Sequence, residues 1–297
     1  MIPQDEHRGH KYITQRDPKA DRRPLFIFFS VLIAVETLGL LLIAPLGFVP
    51  AVLIIMYAPA VGAIAARLFG PGMIWWGRPS WWIVAGFLPS IAALGALWAA
   101  SLLSWVDFSS PALRAALMSV PFPLLINCFA AFGEELGWRG FLWPLLRIRF
   151  TFLAATAILT PVWLAYHIPG VLDGVYGSIE GLPAFAIALL GWVLFIGVVT
   201  DRSRSVWPSV LCHAAWNTYL ETSYTGLVDG HPVPAFTGTG LVGEFGWVPA
   251  VSTLALGVGF AGWHLHSGRG KPRPENASPY SALPSPSTRQ ERQTEEG

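Results

Sequence analysis

The chain has 297 residues, 53% of them hydrophobic and only 12% charged, with 14 Trp and a formal net charge of +1. A soluble domain carries about 25% charged residues, so this composition specifies a polytopic membrane protein. The near-neutral balance, with no basic stripe and no phosphate-cradling glycine loop, excludes nucleic acid as a partner.

Residues 1–24 are polar and charged, and read as a loosely ordered cytoplasmic segment. Eight apolar stretches follow, predicting about eight transmembrane helices in an all-α fold that encloses an intramembrane cavity. They run over about 25–44, 50–69, 81–105, 117–144, 152–168, 183–200, 206–220 and 247–265. Trp81 and Trp105 close the third as interfacial anchors. Pro161 interrupts the fifth, and the seventh is short against the ~20 residues that cross a bilayer. Residues 25–266 thus form the transmembrane domain, with a motif-bearing core at about 117–220. Residues 267–297, rich in Pro, Ser, Arg and Glu, read as a disordered tail.

The cations sort by side. Six Lys/Arg lie before residue 25 and five beyond residue 266, and Arg67, Arg78, Arg147, Arg149, Arg202 and Arg204 flank loops on that same side. The opposite loops hold only Arg114. This asymmetry places both termini in the cytoplasm and the protein, by expectation, in the cell membrane. Cys128 and Cys212 sit in apolar segments with no metal-type spacing, and read as small buried hydrophobes.

The informative stretch is Gly133-Glu134-Glu135-Leu136-Gly137-Trp138-Arg139-Gly140, which follows a run from Leu117 to Phe132 without a charge. Ionised groups at membrane depth cost about 2.5–3.5 kcal/mol each on insertion scales, and by default they mark function. Glu135 and Arg139, at i and i+4, share a helix face and can pair. Glu134 points about 100° away and is left without that partner. Gly133, Gly137 and Gly140 leave room for neighbouring helices or substrate. In the fifth span Trp163 and His167 stand at i, i+4, and in the seventh His213 and Asn217 do the same. Trp138, Trp163, Trp216 and Tyr219 are expected to pack or line a cavity. Glu36, in the first span, has no assignable partner and is expected either to be structural or to support the site from behind the reacting groups. Cys212 is disfavoured as a nucleophile because adjacent helix positions do not face each other, and Ser209 lies one turn from His213.

The ordered set Glu134-Glu135-x-x-x-Arg139, Trp163-x-x-x-His167 and His213-x-x-x-Asn217 resembles the CPBP family. Its members are the CAAX-processing and bacteriocin-immunity-type (Abi) intramembrane endopeptidases. The likeness covers about Phe132 to Tyr219. The family usually has Phe at the start of the second motif, where this chain has Trp163. The resemblance implies peptide-bond hydrolysis without a covalent intermediate, on a membrane-associated protein or peptide, lipidated ones included. It implies Glu134 as general base, His167 as a holder of the attacking water, and His213 and Asn217 as oxyanion donors, with Glu135 and Arg139 in support. The cofactor is then either none or zinc. Glu134, His167 and His213 match a zinc ligand set, but His-Glu-x-x-His is missing, and Asn217 and Arg139 suit a metal-free site better. Two other readings stay open: a proton- or ion-coupled transporter, for which no inverted repeat is visible, and a non-catalytic immunity-type membrane protein.

Overall fold

A computed structural model describes residues 22–67, 78, 80–119, 121–220 and 223–271. Most of the predicted terminal segments, 1–24 and 267–297, therefore lies outside the described residues. The chain is an all-α integral membrane protein. Six helices are long and apolar enough to cross a bilayer: α1 (Arg23–Leu46), α2 (Phe48–Arg67), α3 (Trp81–Leu102), α7 (Phe152–Leu172), α8 (Leu182–Ser203) and α10 (Trp247–His266). A seventh crossing is available if α4 (Ser110–Ser119) and the helical stretch Pro121–Arg149 act as one span bent by 63°. That stretch comprises α5 (Pro121–Gly137), a π turn (Trp138–Leu142) and α6 (Trp143–Arg149).

Among the described residues, six or seven helical stretches thus have the length and apolarity of a span, beside the about eight apolar stretches predicted. The predicted seventh span is α9 (Trp207–Tyr219), and its 13 residues reach only about 20 Å at ~1.5 Å per residue. The predicted fourth span is bent where Pro121 and Pro123 deny the chain a straight helical path. The fifth, expected to break at Pro161, runs unbroken through both Pro161 and Pro169.

Helix α8 is the axis of the molecule. It is 72% buried over its apolar window, against 22–39% for the other spans, and so its sequence is apolar on all sides. It crosses α10 at two glycines: a Cβ on Gly257 would stand 2.3 Å from the Gly191 carbonyl oxygen. A second close crossing brings α2 onto α5, where a Cβ on Gly137 would stand 2.3 Å from Pro59 Cβ and one on Gly133 2.6 Å from the Met56 oxygen. Small residues let the backbones approach there, as expected. Gly140 differs, since its nearest neighbour is Leu136 of its own helix turn.

Two short antiparallel ribbons lie outside the helices. β1 (Asp107–Phe108) pairs with β4 (Phe236–Thr237), and β2 (Gly226–Val228) pairs with β3 (His231–Val233). The second hairpin turns at Asp229-Gly230, both at positive φ, the residue pair that a tight two-residue turn prefers. Buried Tyr224 donates to the Ser90 carbonyl at 2.7 Å and fastens this region to α3. Burial pushes its phenol well up, so it remains a neutral donor.

Candidate active site

The motif helices converge. Glu134 on α5, His167 on α7, and His213 and Asn217 on α9 all line one cavity of about 650 Å³. Measured along the predicted spans, these groups sit at depths differing by more than about 10 Å. The short α9 and the bend before α5 bring them together.

Glu134 is buried, and its Oε2 accepts two indole N–H bonds, from Trp138 at 3.3 Å and Trp163 at 3.0 Å. No protein donor among the described residues engages its Oε1. Both tryptophans thus add a hydrogen bond to the packing and cavity lining expected of them. Trp163 hydrogen-bonds the central carboxylate, which Phe at that position could not do. Its ring also lies under the Arg139 guanidinium, with Cζ 4.0 Å from the ring centroid.

Glu135 and Arg139 form the expected pair, Nη1 to Oε1 at 3.1 Å, both fully enclosed. The same Oε1 meets His213 Nδ1 at 2.9 Å. A carboxylate only accepts, so Nδ1 carries the hydrogen and Nε2 is turned the other way. His167 obeys the same logic: its Nδ1 lies 2.8 Å from the Trp163 carbonyl oxygen, and so donates to it, which leaves Nε2 of the neutral ring as an acceptor. Glu135 Oε2 and Arg139 Nη2 are buried without hydrogen-bond partners among the described residues. The pair is thus held by geometry and charge, with part of its hydrogen-bonding capacity unused.

Two acids join the cavity from outside the motifs. Glu36 of α1 lines it and is buried. Glu244, in the loop before α10, lines it too and accepts from Trp216 Nε1 at 3.1 Å and from the Tyr176 hydroxyl. Trp216 lines a small cavity beside this one, as expected, and adds this hydrogen bond. Nothing in the sequence distinguished Glu244 from the other loop acids. Ser209 bonds Thr200 at 3.1 Å, and neither it nor Cys212 lines the cavity.

Among the described residues no three His, Cys, Asp or Glu side chains are grouped to hold a metal ion. Each histidine has its Nδ1 held, so Nε2 is the ring nitrogen that each has left for another partner. No step below is routed through a metal.

Residues 116–219 match the family model for type II CAAX prenyl endopeptidase Rce1-like proteins. This core is similar to Rce1-like proteins over about a third of the chain. The matched segment runs from α4 to the end of α9 and carries all three motifs. It supports a CAAX-type intramembrane protease, a hydrolase acting on a protein or peptide in a membrane setting. No curated protein matches the chain. Glu36 and Glu244 fall outside the Rce1-like segment.

Proposed function

We propose that the protein is an intramembrane endopeptidase that hydrolyses a peptide bond of a membrane-associated protein or peptide with water activated by Glu134. One observation carries this reading. Glu134 faces a large chamber with its Oε2 tied by two indoles and its Oε1 unengaged, and both histidines and Asn217 line that same chamber.

In the mechanism, a water lies between Glu134 Oε1 and His167 Nε2. Glu134 takes one of its protons as the oxygen adds to the scissile carbonyl carbon. The developing oxyanion accepts hydrogen bonds from the Asn217 amide and from Nε2–H of the His213 imidazolium. Glu135, steadied by Arg139, holds the His213 ring through Nδ1. Collapse of the tetrahedral adduct with protonation of the amine nitrogen releases two products. A lipidated substrate has a fitting wall, because Leu40, Phe48, Val52, Leu53 and Ile126 line the chamber toward α1, α2 and α5. The Rce1-like match makes a prenylated C-terminal peptide the first substrate to test.

Both termini are placed in the cytoplasm on the Lys/Arg asymmetry. Six crossings agree with that; if the bent pair crosses as well, the short α9 has to complete the return. Glu134→Gln decides the reaction. Cleavage of a prenylated, membrane-anchored reporter by the purified chain is expected to fall about 10²–10⁴-fold, as for loss of a general base, with the melting temperature in detergent preserved. Wild-type turnover by this variant would remove Glu134 from the role.

A further inference from the structure

Glu36 is a second carboxyl group in the chamber, and it is unlike Glu134 in a way that suggests a role. It sits midway along α1, is 7% exposed, and lines the cavity. No protein hydrogen bond or ion pair holds it among the described residues. Tyr166, which lines the same space, donates its hydroxyl to the Ile55 carbonyl at 2.8 Å instead. From α2 the chamber receives only apolar side chains, including Val52, Ile55 and Met56. The titratable groups facing Glu36 from the other elements are Glu134, Tyr166, His167, Tyr176, His213 and Glu244, with no Lys or Arg among them.

Two anionic carboxylates in one apolar-walled chamber repel each other, and the anion settles where hydrogen-bond donors await it. Glu134 has two such donors and Glu36 has none. The proton of the pair therefore resides on Glu36. Carboxyl groups whose surroundings differ in this way divide into an acid and a base.

We propose that Glu36 is the chamber's general acid, delivering its proton to the departing amine nitrogen. The role rests on the peptidase reading above; the protonation of Glu36 does not. As water adds, one proton moves from it to Glu134 Oε1. As the C–N bond breaks, the carboxyl proton of Glu36 passes to nitrogen, giving a neutral amine and a carboxylic acid. The proton on Glu134 then returns to Glu36 through chamber water, and the net change is one water consumed per bond cleaved.

Infrared spectroscopy of the purified full chain at neutral pH tests the protonation without any substrate. Wild type is expected to show a protonated-carboxyl band that shifts in D2O, and Glu36→Gln to lose it. Absence of the band in wild type, or its persistence in Glu36→Gln, overturns the proposal. With the prenylated reporter, Glu36→Gln is expected to lower kcat about a hundredfold at unchanged KM and to flatten the high-pH limb of the kcat profile. Glu36→Asp is expected to restore that limb in part. A purely structural Glu36 would leave the limb intact, and that result also overturns the acid role. If instead Glu134→Gln retains wild-type turnover, the peptidase base is misassigned, while the infrared band still reports on Glu36.

Discussion

Two buried carboxylates, one midway along the helical stretch Pro121–Arg149 and one packed against its C-terminal end, meet opposite fates. Asp201 of α8 is saturated: Trp143 Nε1 donates to Oδ1 at 3.0 Å and Arg147 Nε to Oδ2 at 3.0 Å. His264 Nε2 lies 3.3 Å from Oδ2, an ion-pair distance without good hydrogen-bond alignment. Arg147 spends its other N–H groups on the carbonyls of Phe150, Arg269 and Lys271. Asp201 lines neither the chamber nor the small cavity beside it, and the cluster fastens α6, α8 and the end of α10. Glu134 is as deeply enclosed, yet it keeps one oxygen turned to open space. Burial and charge are common to both sites. What separates the fastening from the proposed base is unused hydrogen-bonding capacity aimed into a cavity.

Variants at the two regions should therefore fail differently. Asp201→Ala strands a buried Arg147 and is expected to cost about 3–5 kcal/mol of stability, read as a lowered melting temperature in detergent. Whatever fraction remains folded should turn over normally. His213→Ala should do the reverse, cutting kcat about 10²-fold through loss of an oxyanion donor with a much smaller thermal shift. Equal thermal losses in the two variants would erase the distinction. Gly137→Ala forces a methyl group against Pro59 and is expected to cost about 1–3 kcal/mol. It should lower stability and turnover together, because it displaces α5 and Glu134 with it. Trp163→Phe is the mildest change. It removes one of the two N–H donors on Glu134 while keeping a ring beneath Arg139, and should lower kcat about tenfold, roughly one hydrogen bond to a charged group. No change in kcat would assign Trp163 to packing alone.

The chemistry was more legible in the sequence than the architecture. Glu134, Glu135, Arg139, His167 and His213 stood out because polar groups at regular helical spacing are costly in apolar segments, and they do converge. Arg147 reads as a loop-side charge and Asp201 carries no sign of its own, since a polar residue at a span end gives no signal of burial. Glu36 was visible as an anomaly, but what it faces lies across the chamber on other helices. Glu244 sits in a loop where acids are ordinary. The predicted seventh span is α9, whose apolar sequence resembles a span although its 13 residues are short for one. Asp229-Gly230 was the one available sign of the ribbons, and it was overlooked in a chain read for helices alone.

The π turn at Trp138–Leu142 joins these two regions within one continuous helical rod. One residue beyond α-helical count rotates everything after it by about 100°. That offset lets the rod show Glu134 to the chamber before the turn and Arg147 to Asp201 after it. Deleting a single residue there would keep every reactive and fastening group present, yet the two ends would fall out of phase, so that seating either one turns the other from its partner.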